Sequence, residues 1–374
     1  MRRWTLGLAT LALALRAASA AAACTTGTEL VQSFPTAGGA ISEWSLCWEV
    51  VRMPDDVGDL SASETLVISG ASFRPGVSAD PVEVLGELRM SEIFVPYDAG
   101  EPRFHDLTEN TFDLVALTAT ECTGTRLGGN KVCRETVDRE LAWRDPDPGL
   151  ARRGEKLLVW SVLNASNYDY VMSYGFFDDG TIEVRAAATG EKIGGPDDTE
   201  GHTHVFAWRI DLDVAGPGGD SVSVSTQSFS GKAVREKHEH VTAEQGIPWS
   251  AAGFTHVEVE DGASVNGRGR ARAYTLAPMR EGLPKFKESW TRYPLAVTRS
   301  HGPGAELRSF DLPTYLDKED VAGQDVVVWY ADAHHHEQDM RDEDRDAVPT
   351  LWLGFRLEPQ NLWDGTPFHP DSAP

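Results

Sequence analysis

The feature that most constrains the fold of this chain is a series of short segments rich in valine and aromatic residues. Turn sequences such as Asp178-Asp179-Gly180 separate these segments, and long amphipathic helical patterns are scarce. The pattern predicts a mainly β protein, a large antiparallel β-sandwich, and leaves the strand order open. The predicted strands cover residues 45–52, 64–71, 82–97, 156–163, 170–177, 181–186, 204–214, 271–276 and 325–331.

The first twenty residues have the three parts of a secretory signal peptide. Two arginines follow the initial methionine, an apolar run extends from Leu6 to Leu15, and small residues lead to Ala20. We therefore expect cleavage after Ala20 and a secreted or periplasmic protein, with lipidation at Cys24 as the alternative. No later segment is long and apolar enough to cross a membrane. No linker or repeat interrupts residues 21–374, which are expected to form one domain.

The four cysteines are an even number, which suits an exported chain that forms disulfides. Cys122 and Cys133 flank a glycine-rich segment typical of a turn, so we expect a disulfide between them. Cys24 and Cys47 are the remaining pair. Neither spacing resembles a zinc-binding motif.

The net charge of −24, from 34 basic and 58 acidic residues, restricts the partners of the protein. Nucleic acid is not expected, because binding it requires a basic surface. A negative surface attracts cations, including protonated amines. The alternative, that the charge only keeps the protein soluble, stays open.

Histidines and one tyrosine form the pattern most indicative of chemistry. Residues 166–170 read Ser-Asn-Tyr-Asp-Tyr, a His-x-His follows at His202 and His204, and three consecutive histidines occupy residues 334–336. Residues two apart on a strand face the same side, so the His-x-His pair can bind one ion. A third imidazole completes a site suited to copper or zinc. A tyrosine near such a site is open to oxidation by copper and oxygen.

This combination resembles the copper amine oxidases, in which the tyrosine of an Asn-Tyr-Asp/Glu sequence is converted to topaquinone. The resemblance extends to residues 91–97, which read Ser-Glu-Ile-Phe-Val-Pro-Tyr, to residues 205–213 with their terminal Asp-x-Asp, and to residues 354–363. It spans residues 41–367 and covers the catalytic domain alone, without the small α/β domains that precede it in larger members. It implies the large β-sandwich of that catalytic domain for residues 21–374.

The resemblance also implies an activity and roles for individual residues. Tyr168 is the topaquinone precursor, Asn167 and Asp169 orient it, and the hydroxyl of Tyr97 hydrogen-bonds the quinone ring. The implied reaction is the copper- and topaquinone-dependent oxidation of primary amines by O₂ to aldehyde, ammonium and hydrogen peroxide. The apolar run before Tyr168 predicts that it lies inside a wide sheet rather than at its tip.

The catalytic base of the family is an aspartate, and this chain has two candidates. Asp106 keeps the family spacing to an acidic residue at Glu109 but lacks the two glycines of the motif. Asp113 follows an aromatic residue but lacks the acid after it. We favour Asp106 over Asp113, and a base elsewhere is the third alternative.

The third copper ligand is one of the three consecutive histidines. In the family it lies seven residues after a strand tryptophan, and Trp329 stands seven residues before His336. Strand alternation makes His334 a neighbour on the same face and turns His335 to the opposite face. We therefore expect His336 to join the His-x-His pair.

A second site is implied for a hard cation such as calcium, which prefers carboxylate and carbonyl ligands. Asp211 lies seven residues after His204, and this odd offset predicts that Asp211 and Asp213 lie on the face of the strand opposite His204. At about 3.3 Å per residue, Asp211 is expected roughly 23 Å from His204. The alternative is a solvated acidic edge. The expected ligands are Asp211, Leu212, Asp213, Asp325 and Val326.

Two other functions differ in class from amine oxidation. The first alternative is a secreted copper-binding β-sandwich protein that has lost amine turnover, because the base region is altered and domains are missing. The second is an oxygenase without a quinone, which the Asn-Tyr-Asp sequence disfavours. The expected small-molecule partners are a primary amine and O₂. Members of the family are dimers through this domain, so the resemblance implies a homodimer.

Overall fold

The computed structural model describes residues 24–36, 39, 41–76, 79–146, 149–191, 201–279, 286–302, 304–336 and 348–368. The expected signal peptide, residues 1–20, lies outside these ranges. Within them, no helix has the length and apolar character needed to cross a membrane.

The regular structure of the described residues is mainly β, as predicted. Helices are limited to the short α1 (Leu312–Tyr315) and to 3-10 turns at Ser289–Arg292 and Ser309–Asp311. The strands are β1 (Thr28–Pro35), β2 (Ile41–Arg52), β3 (Glu64–Arg74), β4 (Val82–Leu85), β5 (Glu87–Pro96), β6 (Arg103–His105), β7 (Thr125–Leu127), β8 (Val132–Arg144), β9 (Ala151–Ala165), β10 (Tyr168–Phe177), β11 (Ile182–Gly190), β12 (His202–Asp211), β13 (Asp220–Ser230), β14 (Ala233–Val241), β15 (Gln245–Ile247), β16 (His256–Val265), β17 (Ala271–Met279), β18 (Leu295–Arg299), β19 (Val326–His336) and β20 (Val348–Gln360).

These strands form two large antiparallel sheets. The first has the order β1-β2-β3-β5-β12-β19-β18-β15, with β4 beside β3 and β6 beside β5. The second has the order β14-β13-β16-β17-β20-β11-β10-β9-β8-β7. Apolar side chains from both sheets pack into one buried core between them. The predicted antiparallel sandwich is thus confirmed. The strand order, which the sequence left open, is known only from the structure.

Each predicted strand overlaps an observed one, but the prediction for residues 82–97 needs a correction. This segment divides at Gly86 into β4 and β5. A Cβ atom at residue 86 would lie 2.6 Å from Oδ2 of Asp213, so the backbone leaves room there for a carboxylate. Strand β14 had no sequence signal, because nearly all its residues are exposed and it lacks apolar alternation.

Buried hydrogen bonds hold the two sheets in one relative position. The indole of Trp44 on β2 donates to the carbonyl of Phe177 on β10 at 2.8 Å. The hydroxyl of Tyr174 on β10 donates to the carbonyl of Leu66 on β3 at 3.1 Å. Because water cannot replace these bonds inside the core, sliding of one sheet over the other would leave polar atoms unpaired.

Both expected disulfides are present. Cys24 is bonded to Cys47, which joins the residues before β1 to β2, and Cys122 is bonded to Cys133. Since the sulfur of Cys24 is engaged in a disulfide, this structure does not favour lipidation there. Two disulfides fit an oxidising compartment, such as the extracellular space or the periplasm.

Candidate active site

The central strand of the first sheet brings three histidines together. Strand β12 pairs with β19 so that His202 lies opposite His336. Nε2 of His202 lies 3.1 Å from Nε2 of His204 and 3.3 Å from Nδ1 of His336. One nitrogen from each ring lies within 4.8 Å of the other two. The structure therefore joins the three expected copper ligands in one cluster.

The geometry and protonation of this cluster suit a metal ion. All three rings are buried. Burial, reinforced by the neighbouring imidazoles, holds the pKa of His204 well below its usual value, and the neutral imidazole is the form that binds metals. Within the described part of the chain, the buried Nδ1 of His204 has no hydrogen-bond partner. Metal–nitrogen bonds of about 2.0 Å place adjacent ligands about 3 Å apart, which matches the spacing around His202.

The other two histidines of the triplet are placed differently. His335 has a side chain that is 49% exposed, and its Nε2 lies 3.1 Å from the carboxylate of Asp98. His334 lies opposite His204 in the strand pairing and is half-buried. The structure thus places His336, and not His335, beside the His-x-His pair.

Tyr168 reaches the histidines from the second sheet. Its hydroxyl lies 3.0 Å from Nδ1 of His336, and its ring centroid lies 4.8 Å from that of His204. The tyrosine lies inside a wide sheet, as expected, but next to the turn at the start of its strand rather than away from it. The chain turns at Ser166, whose φ is 70°, so Tyr168 is the first residue of β10. Strands β9 and β11 flank it, and only 4% of the residue is exposed.

The residues on either side of Tyr168 fasten its backbone. The amide of Asn167 donates to the carbonyl of Glu191 at 2.8 Å. The carboxylate of Asp169 accepts a hydrogen bond from the amide of Asn164, also at 2.8 Å. These bonds anchor the turn between β9 and β10 and its neighbour β11. Asn167 and Asp169 thus fasten the main chain on both sides of Tyr168.

Tyr97 lies at the end of β5, on another side of the histidine cluster. It forms a β-bridge with His202 and is buried. Its ring stacks on that of His202, with centroids 4.8 Å apart and an interplanar angle of 22°. The tyrosine expected to orient a quinone is thus packed directly against a candidate metal ligand.

The two candidate bases have opposite environments. Asp106 is buried, its Oδ2 accepts a hydrogen bond from the hydroxyl of Tyr170 at 2.8 Å, and its Oδ1 accepts one from the amide of Asn110 at 3.3 Å. Asp113 has a side chain that is 63% exposed and is paired with Arg52. The structure brings Asp106 toward the site and leaves Asp113 on the surface.

The surroundings of Asp106 change its acidity. Burial raises the pKa of the Asp106 carboxyl to about 7, and the charge of Glu92 adds to this rise. The hydrogen bond from Tyr170 and the charge of His105 act in the opposite direction. A carboxyl group with a pKa near 7 exchanges protons readily at neutral pH, which suits general base catalysis.

Tyr170 is a site residue that the sequence interpretation missed. It lies two positions after Tyr168, and their rings are nearly parallel, at 13° with centroids 6.3 Å apart. Strand alternation places residues 168 and 170 on the same face, so this signal was available in the sequence. Tyr170 links the tyrosine expected to carry the cofactor to the candidate base, Asp106.

A second cluster lies where β12 ends. Asp211, Asp213 and Asp325 each place a carboxylate oxygen within 4.8 Å of the other two, and Oδ1 of each is buried without a hydrogen-bond partner among the described residues. Burial raises the pKa of Asp211 to about 7 and that of Asp213 to about 8. Only 7% of Asp211 and of Asp213 is exposed, so they do not form a solvated edge. Oxygen donors of this kind suit a hard cation.

Arg209 partly balances the charge of this cluster. Its guanidinium is buried and lies 3.1 Å from a carboxylate oxygen of Asp211 and 3.1 Å from one of Glu87. The hydroxyl of Ser300 donates to the same oxygen of Asp211 at 3.4 Å. Because the guanidinium of Arg209 pairs with Asp211 and Glu87, it does not neutralise Asp213 or Asp325.

Comparison with known proteins identifies the family. The family model of the copper amine oxidase enzyme domain matches residues 130–200 and 192–370. The chain belongs to the copper amine oxidase family. It is similar to the histamine oxidase of Arthrobacter globiformis, with 25% identity over 367 residues, which cover 76% of this chain and 51% of that protein. It is also similar to the liver isozyme of primary amine oxidase from Bos taurus, with 26% identity over 258 residues, 56% of this chain and 34% of that protein.

Solved structures share the fold of this family member. The copper-containing benzylamine oxidase of Hansenula polymorpha aligns with a TM-score of 0.64 and 18% identity, over 82% of this chain and 60% of that chain. The lysyl oxidase of Pichia pastoris aligns with a TM-score of 0.61 and 19% identity, over 86% of this chain and 51% of that chain. The chain thus spans about half the length of most of these relatives, and about a third of the bovine enzyme.

The position of His336 leads to a test of copper binding. Replacing His336 with alanine removes one of three clustered nitrogens, and we expect copper affinity to fall by more than roughly 100-fold, since loss of residues that only orient ligands already costs roughly 10–100-fold. His335→Ala is the matched control and should bind copper as the wild type does. Copper titration of the metal-free proteins measures both. Loss of copper in the His335 variant alone would contradict this placement of β19.

Proposed function

We propose that this protein is a copper- and topaquinone-dependent primary-amine oxidase. The observation that carries the proposal is the hydroxyl of Tyr168 at 3.0 Å from Nδ1 of His336, within a cluster of three buried imidazoles. Such a phenol is adjacent to any metal that the cluster holds. The proposed reaction converts a primary amine, water and O₂ to an aldehyde, ammonia and hydrogen peroxide.

The residues of the chain have separate tasks in this proposal. His202, His204 and His336 hold copper, and Tyr168 is converted to topaquinone. When present, copper and topaquinone would supply the electron sink for oxidation of the amine by O₂. The stacked ring of Tyr97 and the buried walls around the cluster restrict the orientation of residue 168 and exclude water.

In this proposal, Asp106 is the base that accepts the proton lost from the α-carbon of the amine. The site needs a carboxylate whose proton affinity is high enough to accept that proton and low enough to leave the group charged near neutral pH. Burial supplies the high proton affinity, and the hydroxyl of Tyr170 stabilises the charged form. The amide of Asn110 holds the other oxygen, so the carboxylate keeps one orientation.

The proposed substrate is a small primary amine. A net charge of −24 favours the approach of ammonium groups. Relatives that carry the names histamine oxidase and diamine oxidase support amines as the substrate class. We further propose that the protein is exported and functions as a homodimer, as the family resemblance implies.

The second cluster is proposed to bind calcium. The clustered carboxylates of Asp211, Asp213 and Asp325 are the hard oxygen ligands that calcium prefers, and the carbonyls of Leu212 and Val326 are the further ligands that the family resemblance implies. Oδ1 of each aspartate is buried and unpaired within the described residues, which supports a cation at this position. The proposed role of the calcium ion is structural, because the ion would join the end of β12 to the start of β19.

Conversion of Tyr168 to a quinone can be tested directly. Copper-loaded, aerated protein should form an adduct with phenylhydrazine on the peptide that contains residue 168, because the reagent condenses with quinone carbonyls. Tyr168→Phe should abolish the adduct and keep copper binding. Mass spectrometry of the labelled peptide is the measurement. An unmodified Tyr168 in copper-replete, aerated protein would exclude the quinone, and a metal-binding protein without turnover would be the better description.

Removal of the base should separate cofactor formation from turnover. Asp106→Asn should still form the phenylhydrazine adduct, because that depends on copper and Tyr168, but its peroxide production should fall by roughly 10²–10⁴-fold, the usual contribution of a positioned base. Asp113→Asn is the matched control and should keep its activity, since Asp113 is exposed. If the two variants exchange behaviour, Asp113 is the base. If both remain fully active, the base is another residue.

The hydroxyl of Tyr170 should set the pH dependence of amine oxidation. The wild-type rate should rise as the pH passes about 7, where Asp106 loses its proton. Tyr170→Phe removes a hydrogen bond that favours the carboxylate, so the midpoint should move upward by about one to two pH units. The variant should be slow at pH 7 and recover in alkaline buffer. Tyr174→Phe, which loses a buried hydroxyl bonded to Leu66, is the control and should keep the wild-type midpoint.

A further inference from the structure

A buried glutamate lies behind the loop that carries Asp106. Glu92 belongs to β5 and is completely buried. Its Oε1 accepts a hydrogen bond from the N–H of Ile93 at 2.9 Å, and its Oε2 accepts one from the hydroxyl of Thr108. Nδ1 of His105 lies 3.3 Å from the same Oε2. One carboxylate thus contacts the residue before Asp106 and a residue two positions after it.

These contacts turn Asp106 toward the candidate active site. Consecutive residues on a strand point to opposite faces. His105 ends β6, and its ring stacks on that of Phe94, with centroids 4.6 Å apart and an interplanar angle of 25°. Asp106 points the other way, to the hydroxyl of Tyr170 on the second sheet. By holding His105 against β5, Glu92 therefore helps to keep the carboxylate of Asp106 directed at Tyr170.

The loop after Asp106 has open space on one side. Residues 108–111 form one wall of a cavity of about 520 Å³. Packing does not hold the loop on that side, so its position depends on hydrogen bonds. The hydroxyl of Ser63 donates to the carbonyl of Asp106 at 2.7 Å, and the hydroxyl of Thr108 donates to Glu92. Glu92 is therefore one of two buried anchors of this loop.

The charge of His105 depends on Glu92. Burial disfavours the imidazolium, but the hydrogen bond and the charge of Glu92, with the charges of Glu109 and Glu288, outweigh burial and raise the pKa of His105. Glu288 is itself paired with Arg103, and the side chain of Glu109 is exposed. Glu92 is thus the buried acid that bonds to this imidazolium.

Glu92 and His105 act on Asp106 in opposite directions. Burial is the main cause that raises the pKa of the Asp106 carboxyl, and the charge of Glu92 adds to the rise. The charge of His105 opposes it, as does the hydrogen bond from Tyr170. The two charges of the Glu92–His105 pair therefore partly cancel at Asp106.

We propose that Glu92 is a positioning residue for the catalytic base: it fixes the loop of Asp106 through His105 and Thr108, and His105 balances its charge. This inference rests on the proposed role of Asp106 as the base. Both oxygens of Glu92 are engaged by these neighbours, so Glu92 acts on the reaction through the loop and not by contact with the amine.

Two neutral variants should affect the protonation of Asp106 differently. His105→Gln keeps a hydrogen-bond donor for Glu92 but removes the positive charge. The charge of Glu92 then acts unopposed, and the midpoint of the Asp106 titration should rise by about one pH unit. Glu92→Gln removes the negative charge and the partner that keeps His105 protonated, so the midpoint should not rise. A residue that only fills space would not separate the two variants in this way.

Loss of either contact to the loop should also slow turnover. A misplacement of about 1 Å can cost roughly 100-fold in rate. We therefore expect Glu92→Gln to lower kcat by roughly 10–100-fold at a pH above the midpoint, with little change in KM, because the base and not amine binding is disturbed. Thr108→Val removes one contact and keeps both charges, so it should give a smaller loss of kcat at an unchanged midpoint. It also serves if Glu92→Gln fails to fold.

Glu183 provides the matched control. It is a buried glutamate on the second sheet, where its carboxylate pairs with Lys156 at 2.6 Å and Arg356 at 3.0 Å. Glu183→Gln removes a buried carboxylate that has no contact with the loop of Asp106. Its kcat and its Asp106 midpoint should equal those of the wild type.

Two measurements on copper-loaded protein test the proposal. Infrared difference spectroscopy without amine follows the protonated carboxyl band of Asp106 across pH, and the band is assigned by its loss in Asp106→Asn. Steady-state kinetics with benzylamine and histamine as probe amines give kcat and KM, with kcat expressed per site that reacts with phenylhydrazine. The infrared titration needs no turnover, so it is independent of the proposed oxidase activity.

Each outcome decides the proposal. We expect a higher midpoint in His105→Gln alone and a lower kcat in both Glu92→Gln and Thr108→Val. Equal midpoints in all proteins would overturn the charge pairing, and an unchanged kcat in Glu92→Gln and Thr108→Val would overturn the positioning role. An equal loss of kcat in Glu183→Gln would overturn it as well, since removal of any buried carboxylate would then explain the effect. If the wild type oxidises no amine, the oxidase proposal and the positioning role fail together, whereas the infrared midpoints still decide the pairing.

Discussion

The antiparallel pairing of β12 with β19 is the interaction on which the candidate site depends. It sets His202 opposite His336, and a slip of one residue would place His335 in the cluster instead. Strands β5 and β18 pair with the outer edges of this two-strand unit, so a slip would also break two further ladders. Central strands thus specify the register of the histidines far more strongly than edge strands would. The packing of the second sheet against the first then brings Tyr168 into contact with these histidines.

The sequence was most informative where the physical signal is local. Strand alternation is a period of two, so His202 and His204 had to face the same side of any strand that contains them. The family resemblance, through the spacing from Trp329, favoured His336, and the structure places that residue in the cluster. The antiparallel sandwich followed from strand-like segments and turns, with no helices to cover a parallel sheet. These inferences use neighbours within about a dozen residues.

What the sequence did not provide are contacts between distant segments. Asp106 and Asp113 looked alike in sequence, and only the packing of β10 over the first sheet, which puts the hydroxyl of Tyr170 on Asp106, separates them. Asp220 carries no motif, and only the structure shows that it is completely buried. Strand β14 has no apolar face, so its place in the sheet depends on pairing with β13 rather than on its own pattern. Tertiary context decides each of these cases.

Burial prepares the two ends of β12 for metals in opposite ways. At the histidine end it disfavours the charged imidazolium, so the pKa of His204 falls and the ring is neutral and ready to bind. At the aspartate end it disfavours the charged carboxylate, so the pKa values of Asp211, Asp213 and Asp220 rise to about 7, 8 and 8. Protons would therefore compete with any cation among these aspartates near neutral pH, whereas burial already keeps His204 in the neutral form that binds metals. One strand and one physical effect thus shift the pKa values of imidazole and carboxyl groups at its two ends in opposite directions.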